Sequence, residues 1–86
     1  MTDLSLHGIP LATVLRLNAA RVVPLARYHE DNACDRFGYL AQLARDQGVA
    51  LDTVVYLAEL LGPEEDFDGL VAMIEDLALA DSAGRA

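Results

Sequence analysis

Prolines and glycines divide this chain into short segments that have the length and the apolar spacing of helices. Pro10 and Pro63 suit the first turn of a helix, whereas Pro24 would interrupt one. Gly48 and Gly62 suit a helix C-terminus. The segments between them carry apolar residues three and four positions apart, which is the period of an amphipathic helix. The sequence therefore predicts an all-α fold, a small domain of four helices.

The first two predicted helices follow from these boundaries. Helix 1 begins at Pro10 and ends near Val22, or continues with a kink toward Tyr28. Helix 2 has Asn32 as its N-cap and Gly48 as its C-terminal stop. The residues expected to face inward on helix 2 are Phe37, Leu40, Ala41, Leu43 and Ala44.

The third helix is expected to be the central element of the domain. It is capped by Asp52 and ends at Gly62, and it is apolar nearly all the way round, which is typical of a helix buried on several sides. Helix 4 begins at Pro63, and its first-turn acids face the positive end of the helix dipole. The domain spans residues 1–80, its first eight residues form a short strand or a packed arm, and residues 81–86 form a frayed tail.

The length and composition of the chain limit the class of protein to which it can belong. At 86 residues it forms one domain, and 53% hydrophobic residues are too many for disorder. A homodimer that buries part of this apolar surface is an open alternative. The single Cys34, the lack of a signal-peptide pattern and the lack of a long apolar run predict a cytoplasmic protein that does not enter the membrane.

The charge is divided unevenly along the chain. Residues 1–45 carry five arginines and four acids, whereas residues 46–86 carry ten acids and one arginine, and the net charge is −8. A strongly negative half repels phosphates and attracts basic protein surfaces. The charge therefore favours a protein partner with a basic surface and does not favour direct binding to nucleic acid.

The segment at residues 64–75 admits two interpretations. Its acids match the spacing of a twelve-residue EF-hand calcium loop, in which Gly69 would make the sharp turn. The ligands would be Glu64, Asp66, Asp68, the backbone carbonyl of Leu70 and bidentate Glu75. A glutamate at the first position and Pro63 directly before it fit this loop badly.

The second interpretation is a plain amphipathic helix. Five apolar residues recur three and four positions apart and form one stripe. They are Phe67, Leu70, Val71, Ile74 and Leu77. Because the helix accounts for more of the residues than the calcium loop does, it is favoured, and calcium binding is kept as an alternative.

Residues 40–57 resemble the helix-turn-helix pattern of small DNA-binding domains. Ala44, Gly48 and Val54 stand where that family has a small residue at the helix contact, a glycine in the turn and an apolar anchor. The resemblance covers 18 residues and implies a pair of helices within residues 33–61.

The same resemblance implies a DNA-binding regulator as another alternative, with Arg16, Arg21 and Arg27 on phosphates. A recognition helix reads bases with polar or basic side chains at its outward positions. Here these positions are Ala50, Leu51, Thr53, Val55 and Tyr56. The residues at these positions do not favour DNA binding.

Other candidate chemistry is sparse. His29, Asp31, Cys34 and Asp35 lie within seven residues, but without the two-residue spacer of a zinc knuckle, and a solvated loop is the favoured interpretation. Neither histidine belongs to a recognisable nucleophile arrangement. We therefore expect neither an enzyme nor a cofactor.

These observations predict a non-catalytic, acidic protein-interaction module that acts as a regulator, adaptor or inhibitor. Its partner-binding residues are expected to be Asp52, Glu59, Glu64, Glu65, Asp66, Asp68, Glu75 and Asp76. A sharper form of the hypothesis is a nucleic-acid mimic of the phage or mobile-element type, whose carboxylates occupy the basic groove of a nucleic-acid-binding protein. The alternative is that these acids have no partner and form only a solvent-exposed surface.

Overall fold

A computed structural model describes the backbone of residues 5–84 and the side chains of residues 5–80. The elements in chain order are β1 (Ser5–Leu6), β2 (Ile9–Pro10), α1 (Leu11–Ala19), α2 (Leu25–Glu30), α3 (Arg36–Gln47), α4 (Leu51–Leu61), a 3-10 turn (Pro63–Glu65) and α5 (Gly69–Gly84). The all-α class is confirmed, since the described part is mostly helical and four of its helices have seven residues or more. None of the helices described is long and apolar enough to cross a membrane.

A two-stranded antiparallel hairpin forms the start of the described chain and supplies the predicted N-terminal strand. Leu6 pairs with Ile9 across a two-residue turn in which His7 and Gly8 both have positive φ, at 54° and 84°. This is the geometry of the tight turns that suit the twist of paired strands. Ile9 is buried, so the hairpin is anchored to the domain. Residues 1–4 of the predicted arm lie outside the described residues.

The helix at Pro24 is a separate element and not a kinked continuation of α1. The residue before a proline is pushed away from helical backbone angles, so Val23 is an unfavourable site for a helix. The chain leaves α1 after Ala19 and begins α2 at Leu25, with Pro24 in an extended conformation. The predicted first helix is therefore divided into two.

Helix α3 begins one turn later than the predicted cap would place it. Asp35, not Asn32, is the N-cap, and its carboxylate accepts a hydrogen bond of 2.7 Å from a first-turn backbone N–H. The side chain of Asn18 on α1 accepts a second one, from the backbone N–H of Phe37 at 2.9 Å. Gly48 ends the helix in the left-handed conformation at φ 68°, as predicted.

Helix α3, and not α4, is the central element. It contacts α1, α2, α4 and α5, whereas α4 buries only the face that carries Val54, Val55 and Ala58. Tyr56 and Leu60 on the opposite face are each 64% exposed. A domain of this size does not provide enough neighbours to surround a second helix, so the prediction that α4 is buried on several sides is wrong.

Helix α5 begins at Gly69, six residues after the predicted start at Pro63. The intervening residues form the 3-10 turn and a further turn that carries Asp66 into the interior. Leu70 and Ile74 of the predicted apolar stripe are fully buried, while Leu77 is 40% exposed. The helical backbone continues to Gly84, four residues into the segment for which fraying was predicted, and residues 85–86 lie outside the described part.

Candidate functional site

Asp66 lies at the centre of a buried polar network where the turn before α5 meets α3. Its side chain is fully buried, as is that of Arg36 on α3. The guanidinium binds the carboxylate through two hydrogen bonds, from Nε to Oδ2 at 2.7 Å and from Nη2 to Oδ1 at 3.0 Å. Such a bidentate pair fixes orientation as well as distance, because both groups are planar. The pair therefore fixes the turn before α5 to the central helix.

The remaining donors of Arg36 reach two other helices. Nη1 donates to the backbone carbonyl of Leu17 on α1 at 3.1 Å, and Nη2 donates to that of Ala58 on α4 at 3.4 Å. In the described part of the chain no buried side-chain nitrogen or oxygen atom lacks a partner. A buried ion pair stabilises a fold only when its other hydrogen-bonding groups are satisfied. This arginine meets that condition and connects four segments.

Two buried tyrosines complete the network. The Tyr28 hydroxyl donates to Oδ2 of Asp66 at 2.6 Å, and the Tyr39 hydroxyl donates to the Asp66 backbone carbonyl at 2.7 Å. Burial raises the pKa of the Tyr28 hydroxyl above its ordinary value, and the adjacent carboxylate of Asp66 raises it further. Burial also raises the pKa of Tyr39, with smaller contributions from the negative charges of Asp31 and Asp66. Both hydroxyls therefore stay protonated donors near neutral pH.

The position of Asp66 corrects one prediction and argues against one alternative. It is not part of an exposed acidic surface, because Arg36 and Tyr28 already occupy its carboxylate inside the protein. It is not free to bind calcium for the same reason. Gly69 begins α5 and does not form a loop turn, and no group of three metal-ligating side chains lies together in the described residues. The segment thus folds as a turn and a helix, not as the calcium loop that was kept as an alternative.

The other predicted acids lie nearer the surface, on α4, the 3-10 turn, the turn that follows it and α5. Glu59 is bound to Arg16 on α1, with 2.7 Å between Nη2 and Oε2. Glu65 is partly buried, and its carboxylate accepts a hydrogen bond from the backbone of Gly69 at 3.2 Å. Of the predicted acids, those that are exposed and form no ion pair within residues 5–80 are Asp52, Glu64, Asp68, Glu75 and Asp76.

Large apolar side chains are exposed on the same two helices as these acids. On α4, Asp52, Tyr56 and Leu60 follow each other at intervals of four residues, so they lie on one face. On α5, Met73 and Leu77 are also four apart and are 38% and 40% exposed. Leu77 lines a small cavity with Thr53 and residues 48–50, so this part of α5 lies beside the start of α4. Glu75 is two residues from both Met73 and Leu77 and therefore points to another side of α5. We call Asp52, Tyr56, Leu60, Met73, Asp76 and Leu77 the α4–α5 face.

The helix pair within residues 33–61 is present, but its outward residues differ from those of a DNA reader. Ala44 and Val54 are buried at the contact, as the resemblance implied, and Val55, expected to point outward, is buried as well. The exposed residues of α4 include the acids Asp52 and Glu59. A recognition helix with these charges would face the phosphates with like charge.

The three arginines assigned to phosphates in that alternative already have contacts within the protein. Arg16 binds Glu59, and Arg21 donates to the backbone carbonyl of Val23 at 2.7 Å. The guanidinium of Arg27 lies 4.0 Å from the centre of the Phe67 ring. Phosphate binding would have to compete with each of these contacts.

The loop after α2 contains the other candidate ligands. Cys34 is exposed, and a ring nitrogen of His29 lies 3.2 Å from its backbone carbonyl oxygen. Asp35 caps α3 and also lies 3.3 Å from the Asn18 side-chain amide. The structure thus gives Asp35 and His29 local contacts that order this loop.

Sequence reasoning missed Arg36 as a buried residue, although a signal was present. Arg36 precedes Leu40 and Ala44 at intervals of four, so it continues the apolar stripe of α3. Asp66 precedes Leu70 and Ile74 in the same way. Two opposite charges that each extend a buried stripe are candidates for a buried pair.

Comparisons with protein-family models, with curated proteins and with solved structures found no match for this chain. A function is therefore inferred from the arrangement of its own residues.

Proposed function

We propose that this protein is a non-catalytic interaction module that binds a protein partner with a basic surface through the α4–α5 face. The observation that carries the proposal is the combination on this face of acids without ion pairs and of large exposed apolar side chains. An acidic face that only contacts solvent does not account for the exposure of Tyr56 and Leu60. Protein interfaces commonly combine an apolar or aromatic centre with a polar rim.

The two kinds of residue contribute differently to such binding. Unpaired carboxylates raise the rate of encounter with a basic surface and select against acidic partners. Tyr56, a residue type that is enriched among the dominant contacts of interfaces, would anchor the complex once it forms. The expected result is binding that weakens with salt but does not vanish, because the apolar contacts remain.

The proposal is tested by capturing partners from the lysate of the cells that encode the protein and measuring the affinity of the purified complex. Asp76→Asn removes one charge from the α4–α5 face, and Glu64→Gln removes one from the 3-10 turn, outside this face, as the matched control. We expect Asp76→Asn to weaken binding and Asp52→Asn/Asp76→Asn to weaken it further. Glu64→Gln should leave the affinity unchanged.

Tyr56→Ser separates the apolar contribution from the electrostatic one. The side chain is 64% exposed, so its removal should not affect folding. We expect faster dissociation with little change in the salt dependence. Equal affinities for the wild type, Asp76→Asn, Asp52→Asn/Asp76→Asn and Tyr56→Ser would exclude this face.

Competition with duplex DNA tests the sharper hypothesis that the acids imitate nucleic acid. If the partner uses the same surface to bind DNA, added DNA should release the partner from this protein. The amount of DNA required should follow the affinity of the partner for DNA. A partner released by salt but not by DNA would instead have a basic surface that is dedicated to proteins.

A further inference from the structure

A cleft of about 310 Å³ lies between the end of α2, one face of α3 and the segment that leads into α5. Small-ligand sites occupy about 300–1,000 Å³, so this cleft is at the lower end of that range. Its size suits a single long side chain or a molecule of similar dimensions.

The floor of the cleft is aromatic and apolar. Tyr39 and Leu43 of α3 line it, together with Phe67 in the turn before α5 and Val71 in its first turn. The rings of Tyr39 and Phe67 lie 4.5 Å apart between centres, and the Tyr39 hydroxyl is bound to the backbone of Asp66. The buried network therefore holds this floor in place without a ligand.

Two carboxylates, those of Asp31 and Asp46, border the floor. Asp31 is held against α3 by Gln42, whose side-chain amide donates to its backbone carbonyl at 2.9 Å. Asp46 is exposed and forms no ion pair among the side chains of residues 5–80. A negative rim above an aromatic floor attracts a cation, because the face of an aromatic ring is itself electronegative.

One cation of the protein already uses this chemistry. The Arg27 guanidinium lies 4.0 Å from the centre of the Phe67 ring. Its ion pairs with Glu30 and Asp31 are both 3.5 Å long, and its side chain is 42% exposed. Long, exposed ion pairs hold a side chain weakly. Arg27 is therefore a displaceable occupant of the edge of the cleft.

We propose that this cleft is a binding site for a guanidinium group on an aliphatic stem, the chemistry of an arginine side chain. The guanidinium takes the place of Arg27 on Phe67 and donates to Asp46 and Asp31, while its stem packs on Leu43 and Val71. A planar guanidinium stacks on a ring and donates from its edges at the same time, which a compact ammonium does not. The assignment of this group to a partner's arginine rests on the proposed function, whereas the chemistry of the cleft does not.

The experiment is a titration of the full chain with N-acetyl-arginine methylamide, followed by the methyl NMR signals of Leu43 and Val71. We expect saturable shifts, and weaker binding of the matching lysine amide. Arg27→Gln should tighten binding about two- to fivefold, because it removes the internal competitor. Asp46→Asn should weaken it by a similar factor.

Asp76→Asn is the matched control, since it removes the same charge from an exposed site on α5. It should leave the affinity for the amide unchanged. If Asp46→Asn and Asp76→Asn weaken amide binding equally, the loss of affinity comes from the net charge and not from the position of the carboxylate. That result would overturn the site. The absence of saturable shifts in both the wild type and Arg27→Gln would also overturn it.

Two further probes distinguish the sources of the guanidinium. A neutral peptide with one arginine that binds more tightly than the amide supports a partner's side chain as the ligand, and agmatine binding more tightly supports a free small molecule. If Asp52→Asn/Asp76→Asn releases the partner while no probe binds the cleft, this inference fails and the proposed function stands. If the amide binds while no α4–α5 variant affects a partner, the proposed function fails and the cleft stands.

Discussion

Two ion pairs in this protein have the same length and lie in opposite surroundings. Arg36 and Asp66 approach to 2.7 Å with side chains 2% and 0% exposed, whereas Arg16 and Glu59 approach to 2.7 Å with side chains 60% and 35% exposed. Water screens the second pair and competes for its hydrogen bonds, but it does not reach the first. We therefore expect the environment, and not the distance, to decide what each ion pair contributes to the fold.

The comparison also separates the structural acids of the chain from those available for binding. The charge of Asp66 is matched by a buried arginine that donates two hydrogen bonds to its carboxylate, and the Tyr28 hydroxyl donates a third. Asp68, two residues later, is exposed and forms no ion pair among the described side chains. Two acids that lie two residues apart thus differ in their roles: Asp66 is part of the core, and Asp68 remains available for binding.

The largest effect is expected from breaking the buried pair. Asp66→Asn keeps the size of the side chain and removes its charge, which leaves Arg36 buried without a counter-ion. Removing one partner of a buried pair costs about 3–5 kcal/mol. Urea unfolding should show this loss of stability, and Glu59→Gln at the exposed pair should cost less than about 1 kcal/mol.

A double replacement tests whether the cost comes from the unpaired charge. Arg36→Met/Asp66→Leu removes both charges and keeps most of the volume, so it should recover part of the stability lost in Asp66→Asn. Recovery is incomplete, because the carbonyls of Leu17 and Ala58 lose their donors. A double variant less stable than Asp66→Asn would contradict this account.

The next effect is expected at Tyr28. Tyr28→Phe removes the hydroxyl that donates to Asp66 at 2.6 Å and leaves one carboxylate lone pair unmatched in the interior. The loss should be about 1–3 kcal/mol, again by urea unfolding. Tyr56→Phe is the control, since Tyr56 is 64% exposed, and it should be neutral. Equal stabilities of the two variants would mean that the buried hydrogen bond contributes nothing net.

Alkaline pH should reveal the same network. The pKa values of Tyr28 and Tyr39 are raised above the ordinary 10.0, so the folded state holds these protons more tightly than the unfolded state does. Their contribution is fully present below the unfolded pKa and is lost as the pH rises from there toward the folded pKa. Stability should fall between about pH 9 and about pH 11, by about 1 kcal/mol for each buried tyrosine.

Tyr28→Phe should reduce the slope of this alkaline loss, whereas Tyr56→Phe should not change it. Urea unfolding at each pH, with the tyrosinate absorbance as a second signal, measures both. An unchanged slope in Tyr28→Phe would contradict the assignment to the network.

The smallest effect is expected at the exposed pair. A double-mutant cycle of Arg16→Gln and Glu59→Gln should give a coupling of about 0.2–1 kcal/mol, and raised salt should reduce it. The coupling between Arg36 and Asp66 should be larger and nearly independent of salt. Similar salt dependence at the two pairs would remove the distinction between them.

The sequence predicted those parts of the fold that depend on local interactions. Gly48 ends α3 because it adopts a left-handed conformation that other residues rarely accept, and the apolar spacing of α3 identified its buried face. The start of α5 was misplaced, because Pro63 and the acids after it suit a helix N-terminus locally. The structure has a turn there instead, in which Asp66 is bound to Arg36, Tyr28 and Tyr39.

The sequence predicted only part of the acidic site, because it gives the charge of a residue but not whether that residue is buried. Sequence identifies the charge of Asp52, Glu64 and Glu75, and the structure adds that they are exposed. The sequence could not identify the cleft, whose walls come from α2, α3 and α5. Residues this far apart along the chain are brought together by packing, which no local pattern encodes.

The sequence by itself determined the helical class, the turn at Gly48 and the excess of negative charge in the second half, because backbone preference, apolar period and net charge are properties of short stretches. The tertiary structure alone decided which helix is central, which acids are exposed and which arginine is buried. These depend on how few neighbours a chain of 86 residues can supply and on which distant charges meet once its core has closed.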